Sequence, residues 1–266
     1  MAKKVLTSLK SLLKDAQRRG NVSQNVALDV SISPDKRGKS KLKVGVDIPS
    51  PAEIKLIINA ASGKRRPFWL TAIFTGLRSS ELRGLRWSDV NLTRGELHVR
   101  QRADRYNAIG NPKSESGERT IPLGPLVINT LKEWKLACPK GELGLVFPTG
   151  TGHIEHHANI LRDLRPVMVA AGLTVAAKDA KGKIMRDEDG TPVMAPKYTG
   201  LHALRHFYAS WCINRRADGG LELPAKLVQE RLGHSGIAVT MDTYGHLFPR
   251  TDNGSELEAA EKALLA

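Results

Sequence analysis

Residues 200–245 read GLHALRHFYASWCINRRADGGLELPAKLVQERLGHSGIAVTMDTYG. Apolar residues recur at helical spacing in three parts of this stretch. These parts predict three helices, at about 200–216, 224–232 and 236–245. Each helix brings a polar side chain suited to chemistry. His202 and Arg205 are three residues apart and therefore share one face of the first helix. His234 follows the glycine that ends the second helix, and Tyr244 lies in the third.

Helical patterns also run through the rest of the chain. Further helices are predicted at 3–19, 50–61, 66–77, 79–85, 125–137, 157–171 and 255–266. Ser50 and Glu53 form a capping-box pattern at the start of the second of these. Residues 96–104 and 117–123 alternate apolar and polar positions, which predicts a small antiparallel sheet. Residues 174–198 contain polar turns and are predicted to form a hairpin insertion. The predicted fold class is mainly α with a small antiparallel β-sheet (α+β).

The composition favours a partner that carries many negative charges. The chain has 266 residues, with 41 Lys+Arg against 27 Asp+Glu, and a formal net charge of +14. Residues 1–50 contain eleven Lys+Arg and four Asp, so half of that charge lies in less than a fifth of the length. Clustered positive charge suits the phosphates of nucleic acid. A hydrophobic content of 41% is typical of a globular protein with one or two domains.

Several classes of protein are disfavoured by the sequence. Cys138 and Cys212 are too few and too far apart for a disulfide scaffold or a zinc site. No apolar run approaches the roughly 20 residues that a membrane span needs. His153, His156 and His157 lie together but lack a neighbouring cysteine or aspartate, so we expect no metal there. We therefore expect a soluble protein of the cytoplasm.

Two arginines suit the stabilisation of a phosphodiester under attack. In-line attack places extra charge on the phosphate oxygens, and without a metal the protein must meet it with fixed cations. The planar guanidinium bonds two oxygens at once and keeps its proton at neutral pH. Arg78 follows an apolar helix at a Thr-Gly-Leu bend, with Glu81 three residues later. Arg205 shares a helix face with His202. A lone arginine would more often be a surface ion pair, so these local patterns carry the hypothesis.

Tyr244 is the tyrosine best placed to act as a nucleophile. A phenol has a pKa of about 10 and needs a nearby base or cations to react at neutral pH. Tyr244 follows His234 by ten residues, whereas Tyr208 lies beside Trp211 and is predicted to be core.

Lys113, in NPKSESGER between two predicted strands, could supply a proton to a leaving group.

Five motifs, TGLRSSEL, NPKSESGER, LHALRH, RLGHSG and MDTYGHL, resemble in this order those of the tyrosine recombinases, the phage-integrase family. The resemblance extends over about residues 45–250 and implies the catalytic-domain fold of that family. It implies strand cleavage through a 3′-phosphotyrosyl linkage with a free 5′ hydroxyl, without a metal or other cofactor. The implied catalytic residues are Arg78, Lys113, His202, Arg205, His234 and Tyr244, with Glu81 aligning one of their side chains.

The resemblance also implies a role for each residue. The two arginines hold the scissile phosphate, and Lys113 protonates the leaving 5′ oxygen. His234 donates to the phosphate, and His202 assists the proton of the tyrosine. His206 lies four residues after His202 on the same helix face and competes for that last role. The Leu-x-x-Arg-His spacing favours His202.

Four segments are expected along the chain. Residues 1–30 are similar to the end of the core-binding domain of integrases, so the chain is expected to be truncated at its N-terminus. Residues 31–49 have the composition of a basic linker, and residues 50–250 form the catalytic domain. Residues 251–266 form a helix whose apolar face packs either within the chain or, as in the family, on a neighbouring protomer.

The resulting prediction is a site-specific DNA recombinase (integrase) that integrates or excises a mobile element such as a phage. Its expected partners are double-stranded DNA attachment sites, further copies of itself in a tetramer, and a directionality factor, without a membrane. We expect it in the bacterial cytoplasm, with the nucleoid. One alternative is a DNA-binding fragment that does not catalyse. The other is strand relaxation of the type IB topoisomerase kind, which the compact spacing from His234 to Tyr244 disfavours.

Overall fold

The computed structural model describes residues 2–32, 41–112, 114–249 and 254–265. The chain divides into two compact units, Met1–Ser40 and Lys41–Ala266. The fold is mainly α with small antiparallel sheets, as predicted. No helix in the described ranges is long and apolar enough to cross a membrane.

The smaller unit is built on helix α1, Ala2–Arg18, which confirms the helix predicted at 3–19. After the helix the chain folds back on it. Asn25 Nδ2 donates to the carbonyl of Lys10 at 3.0 Å, and Lys10 Nζ donates to the carbonyl of Leu28 at 2.7 Å. Val5 and Leu12 are more than 60% exposed, so much of the apolar stripe of α1 is open to solvent.

The larger unit begins before its first helix. Residues 33–40 of the predicted linker lie outside the described residues, and residues 41–48 belong to this unit. Ile48 is fully buried, and the carbonyl of Leu42 lies 2.7 Å from Nε2 of His246. The predicted capping box then opens helix α2, Pro51–Ala60. Glu53 N donates to Ser50 Oγ, and Ser50 N donates to the Glu53 carboxylate.

A glycine turn positions Arg78. Helix α3, Arg66–Thr75, is almost entirely buried, as predicted for 66–77, and ends at Gly76 in the left-handed conformation with φ of 60°. A Cβ on Gly76 would lie 2.4 Å from Cδ1 of Tyr208, so both the backbone angle and the packing require glycine. The chain then turns at once into helix α4, Ser79–Gly84, with Arg78 as its N-cap residue.

The predicted sheet is present, and a separate two-stranded hairpin lies between two of its strands along the chain. Strands β1 (Val90–Asn91), β2 (Glu96–Val99) and β5 (Arg119–Pro122) form an antiparallel sheet in the order β1-β2-β5. Leu97 pairs with Ile121 in this sheet, and both are fully buried. Strands β3 (Arg102–Ala103) and β4 (Ile109–Gly110) pair with each other. Strands β3 and β4 therefore form a second sheet, and β3 packs against α4 with Ala103 fully buried.

The remaining elements follow the sequence prediction closely. They are α5 (Pro125–Ala137), α6 (His157–Ala170), β6 (Thr174–Ala176), β7 (Met194–Pro196), α7 (Leu201–Ile213), α8 (Ala225–Leu232), α9 (Ile237–Tyr244) and α10 (Gly254–Leu265). Strands β6 and β7 are antiparallel, which confirms the hairpin insertion predicted at 174–198. Helix α7 ends three residues earlier than predicted, because Asn214 takes an extended ψ of 149°.

Two apolar clusters of the larger unit support the site. The larger cluster joins α2, α3, α5, α6 and the three-stranded sheet. The smaller cluster joins α7, α8 and α9 through Tyr208, Cys212, Val228, Leu232 and Tyr244. The predicted core position of Tyr208 is confirmed, since this residue is 1% exposed. The ring of Tyr244 is thus itself part of the packing that fixes the three helices.

Candidate active site

Arg205 is held from two sides inside the protein. It lies on α7 and is 3% exposed. Its NH1 donates to the carbonyl of Gly76 at 2.7 Å, and its NH2 donates to the carbonyl of Leu232 at 2.5 Å. Burial and the nearby charge of Arg78 lower the pKa of Arg205 to about 9. The guanidinium therefore remains charged at neutral pH, and its orientation is fixed by the ends of α3 and α8.

Arg78 is fixed by its own helix and by the turn after α8. Its NH1 donates to Glu81 Oε1 at 2.8 Å, and its backbone N–H donates to Glu81 Oε2 at 2.8 Å. Its NH2 donates to the carbonyl of Gly233 at 3.0 Å. The side chain is 36% exposed, so part of the guanidinium remains available to a ligand.

Arg119 completes this network and was missed as a site residue by the sequence analysis. Its NH2 pairs with Glu81 Oε2 at 2.8 Å, and its Nε donates to the carbonyl of Arg231 at 2.8 Å. Its side chain is only 6% exposed. A usable signal was present, because Arg119 and the buried Ile121 occupy the same face of β5.

Glu81 is the carboxylate that orders both arginines. Burial alone would raise its pKa, but Arg119 and Arg78 reverse this and lower the pKa to about 2. The carboxylate is therefore ionised at neutral pH. One buried anion thus bonds to two cations, and the aligning role of Glu81 in the reaction stays a prediction.

The turn after α8 places His234 against Tyr244. Gly233 has a φ of 61°, and a Cβ there would lie 2.8 Å from NH1 of Arg119. Nδ1 of His234 lies 2.8 Å from Oγ1 of Thr240, and its ring stacks on that of Tyr244 with an interplanar angle of 5°. Burial, followed by the charge of Arg205, lowers the pKa of His234 to about 4. The imidazole is therefore neutral at pH 7.

Tyr244 is the last residue of α9, and its side chain is buried where the charges of Arg205 and Arg78 act on it. It is 2% exposed, and its hydroxyl lies 2.7 Å from Nδ1 of His206. Burial raises the pKa of Tyr244 to about 12, although Arg205 and Arg78 act in the opposite direction. In this state the phenol is protonated, and the neighbouring charges already favour its ionised form.

The two histidines of α7 face different surroundings. The contact to the hydroxyl of Tyr244 is made by His206, and the role expected of His202 in moving the tyrosine proton stays a prediction. His202 lies one turn nearer the start of the helix, where it is exposed and lines a cavity of about 220 Å³ with Arg78 and Arg205. The two imidazole rings meet edge to face at 4.8 Å. The groups around the ring of His202 partly exclude water from it, and this desolvation, followed by the charge of Arg205, lowers the pKa of His202.

Two further predictions concern the edges of the site. Lys113 lies outside the described residues, so its position stays a prediction; the chain on either side runs from β4 to β5 as expected. The cluster of His153, His156 and His157 divides among three different partners, Thr151, Ala158 and Ser79. In the ranges given above, no group of three His, Cys, Asp or Glu side chains is arranged to hold a metal ion.

The assembled site can bind an anion and present a phenol to it. Its side chains come from four parts of the chain, with Arg78 at the start of α4, His202 and Arg205 on α7, His234 after α8, and Tyr244 on α9. Arg78, His202 and Arg205 line one cavity, and the charge of Arg205 acts on both His234 and Tyr244. The two guanidiniums provide fixed positive charge, and the imidazoles are neutral groups that can exchange protons. The arrangement suits attack on a phosphodiester.

Known proteins resemble this chain in sequence. A family model described as the phage integrase family matches residues 50–250. The chain is 27% identical over 267 residues to the tyrosine recombinase XerC-like protein of Caldanaerobacter subterraneus, with 91% of this chain and 61% of that protein covered. It is 25% identical over 257 residues to the ICEBs1 integrase of Bacillus subtilis, with 92% and 61% covered. The chain thus spans about 61% of the length of these two relatives.

Solved structures agree on the fold. The Tn1549 transposon integrase in complex with transposon right end DNA superposes with a TM-score of 0.64 at 20% identity, covering 100% of this chain and 79% of that chain. A lambda integrase dimer bound to a COC′ core site gives a TM-score of 0.55 at 20% identity, covering 94% and 76%.

Proposed function

Because the chain belongs to the phage integrase family, we propose that it cleaves and rejoins DNA at specific sites through a 3′-phosphotyrosyl linkage on Tyr244. The observation that carries this proposal is the setting of Tyr244, whose buried hydroxyl lies among neutral imidazoles in the field of Arg205 and Arg78. A phenol in that setting can become a nucleophile when a phosphate binds. The bond energy is kept in the new linkage, so rejoining needs no other energy source.

Each side chain of the site has its own role in the proposed reaction. Arg78 and Arg205 hold the non-bridging oxygens of the scissile phosphate, and Glu81 keeps Arg78 aligned. His202 and His234 contact the same phosphate from two sides of the cleft. Lys113 protonates the departing 5′ oxygen as the general acid. Fixed donors of this kind stabilise charge that develops in the transition state more than charge in the ground state.

The substrate is double-stranded DNA at the attachment sites of a mobile element. Two relatives are named as integrases of an element or a prophage, the ICEBs1 integrase and the prophage integrase IntR of Escherichia coli. Catalysis resides in residues 50–250, and residues 1–30 contribute to gripping the DNA as part of a core-binding domain. The active form is a tetramer on DNA in the bacterial cytoplasm, and a directionality factor selects excision.

A suicide substrate tests the chemistry. We would incubate the chain with duplexes of randomised sequence, each carrying one nick at a fixed position. In some of these duplexes a cleavage site will lie a few nucleotides to the 5′ side of the nick. Cleavage releases the short 5′-hydroxyl fragment and traps the protein on the 3′ phosphate. The expected result is an adduct that survives denaturation and is lost in Tyr244→Phe, because the phenylalanine variant lacks the nucleophilic oxygen. Sequencing the trapped DNA then supplies a defined duplex for later measurements.

The outcome separates the competing functions. Tight DNA binding without an adduct would overturn the proposal in favour of a binding module. An adduct formed without sequence preference, together with relaxation of supercoiled plasmid, would instead indicate a topoisomerase-like activity. An adduct on the 5′ phosphate would contradict the proposed polarity.

Helix α10 is proposed to dock on a neighbouring protomer. Leu257, Leu264 and Leu265 are each at least 65% exposed, so these apolar side chains are not packed within their own chain. Deleting residues 253–266 is expected to weaken assembly on DNA far more than binding by a single protomer, as measured by analytical ultracentrifugation with the selected duplex. A double variant, Lys262→Ala with Glu258→Ala, removes only an exposed ion pair and serves as the control. Unchanged tetramer formation by the deletion variant would overturn this assignment.

A further inference from the structure

His206 has a position that the roles assigned above do not use. It lies one helical turn after His202 on α7, half-buried, with Nδ1 at 2.7 Å from the hydroxyl of Tyr244. This distance is that of a well-formed hydrogen bond. The rings of the two residues meet at 5.7 Å between centroids with an angle of 65°, so the contact joins the imidazole nitrogen to the hydroxyl and is not a stacking contact. His206 therefore touches the atom that forms the new bond.

The surroundings of His206 keep it uncharged in the free protein. Burial lowers its pKa to about 4, the charges of His202 and Arg205 act in the same direction, and Asp47 opposes them. A neutral imidazole has one nitrogen with a hydrogen and one with a lone pair. When the hydrogen is on Nε2, Nδ1 can accept the hydroxyl proton of Tyr244. The same contact thus orients the phenol oxygen and offers its proton a destination.

Resting on the function proposed above, we propose that His206 takes the proton of Tyr244 during strand cleavage and returns it during rejoining. In cleavage, Oη of Tyr244 forms a bond to phosphorus as the bond from phosphorus to the 5′ oxygen breaks. The phenol proton passes to Nδ1 of His206, and the electron pair of the O–H bond stays on Oη. The departing 5′ oxygen takes its proton from a different donor, the role assigned to Lys113. Rejoining reverses each of these transfers.

The other two histidines are less suited to this transfer. His202 is exposed and lines the cavity of about 220 Å³ with Arg78 and Arg205, the two residues proposed to hold the phosphate. His234 stacks its ring on that of Tyr244, and its Nδ1 is bonded to Thr240. Of the three imidazoles, only that of His206 makes a described hydrogen bond to the hydroxyl of Tyr244.

Substrate binding changes the balance in the direction that transfer requires. The charge of Arg205 is one of the causes that depress the pKa of His206. A bound phosphate brings negative charge to Arg205 and offsets that effect, so the basicity of His206 rises when DNA is in place. The free protein is thereby kept from ionising Tyr244 before a substrate arrives.

Matched variants on α7 test the proposal. His206→Asn keeps a hydrogen-bonding atom near the position of Nδ1 but cannot take up a proton. It is expected to slow single-turnover adduct formation on the selected duplex about 100-fold or more. His202→Asn is the matched control, the same substitution one turn earlier. Thermal unfolding and DNA affinity are measured for both variants, and His206→Gln supplies a second variant should His206→Asn fail to fold.

Fluorinated tyrosine at position 244 distinguishes proton transfer by His206 from a purely structural role of that residue. If His206 only supported the fold, fluorination would not change the effect of its replacement on the cleavage rate. Fluorination lowers the pKa of the phenol and so reduces the need for a base. It should recover much of the lost rate in the His206 variant and none of the loss in the His202 variant. Two results would overturn this inference alone. One is cleavage by His206→Asn at the rate of the unsubstituted chain, and the other is an equal recovery of the cleavage rate in both variants when Tyr244 is fluorinated. Failure of the unsubstituted chain to form any adduct would overturn the proposed function and this inference together.

Discussion

Tyr198 and Tyr244 are both buried and both use their hydroxyl in a hydrogen bond, but their partners differ. The hydroxyl of Tyr198 donates to Oε2 of Glu53 at 2.8 Å. That of Tyr244 meets Nδ1 of His206 at 2.7 Å. The first partner is an ionised carboxylate, and the second is a neutral imidazole. Similar burial therefore gives two phenols with different chemical prospects.

The signs of the neighbouring charges set the two phenols apart. Burial raises the pKa of both residues. At Tyr198 the carboxylate of Glu53 raises the pKa further, which locks the phenol in its protonated form. At Tyr244, Arg205 and Arg78 act against burial, and the pKa is about 12. A buried tyrosine becomes a candidate nucleophile only when cations and a proton acceptor surround it.

The carboxylate of the active site does not act on Tyr244 as Glu53 acts on Tyr198. Both oxygens of Glu81 are occupied by Arg78 and Arg119 at 2.8 Å. This ion network leaves a net positive charge, since it contains two arginines and one carboxylate. The positive field at Tyr244 thus depends on how the carboxylate is neutralised, and variants can test each part of this contrast.

Replacing the cation beside Tyr244 should have the largest effect. Arg205→Lys keeps the charge, but one amine cannot replace the fork that joins the carbonyls of Gly76 and Leu232. We expect the rate of adduct formation to fall about 100- to 1,000-fold. Single-turnover cleavage of the selected duplex measures this. Arg94→Lys, at a 73% exposed side chain, is the control and should cleave normally. A fully active Arg205→Lys would show that this guanidinium does not hold the phosphate.

Removing the charge of Glu81 should have an intermediate effect, seen in stability. The folded-state pKa of about 2 lies below the ordinary 4.5, so the carboxylate stabilises the fold above pH 4.5. That contribution disappears as the pH falls from about 4.5 to about 2, and it amounts to about 3 kcal/mol. Glu81→Gln lacks this contribution at every pH. Its free energy of unfolding should therefore change less between pH 4.5 and pH 2 than that of the unsubstituted chain.

Denaturant unfolding between pH 2 and pH 7 measures the effect of Glu81. Glu258→Gln, at a side chain that is 66% exposed, is the matched control and should leave the free energy of unfolding unchanged. Parallel profiles for the Glu81 variant and the unsubstituted chain would contradict the role of this carboxylate.

Removing the hydroxyl of Tyr198 should have the smallest effect. Tyr198→Phe loses one hydrogen bond to Glu53, which still keeps its ion pair with Lys197 at 2.5 Å. We expect a loss of about 1 kcal/mol in the free energy of unfolding, measured by chemical denaturation. Adduct formation should be unaffected, in contrast to its loss in Tyr244→Phe. A cleavage defect in Tyr198→Phe would break the distinction between the two phenols.

The local elements could be predicted because each depends on neighbouring residues. Helical periodicity predicted α3, α5, α6, α8 and α9 to within a few residues. Ser50 and Glu53 predicted the start of α2, because a capping box satisfies backbone groups within one turn. The helix predicted at 66–77 ends two residues earlier, at Thr75, because Gly76 takes the left-handed conformation. The end of α7 was predicted too late, since periodicity does not report where the backbone turns extended.

The sequence by itself determined the chemical types of the site and their order, because motif spacing within a helix or turn follows from local geometry. Arg78, His202, Arg205, His234 and Tyr244 could all be named from it. Their mutual distances could not be predicted, since these depend on how four separate parts of the chain pack together.

Only the tertiary structure decided which groups touch. Arg119 reaches Glu81 across 38 residues of chain, and His206 reaches Tyr244 across 38. Both contacts arise from packing between separate elements. The alternation of β5 places Arg119 on the buried face, but no local pattern identifies the partner of Arg119 or of His206. The choice between His202 and His206 turned on which histidine lies against α9. The packing of α7 with α8 and α9 places His206 against the hydroxyl of Tyr244, whereas two residues one helical turn apart look alike in any local pattern.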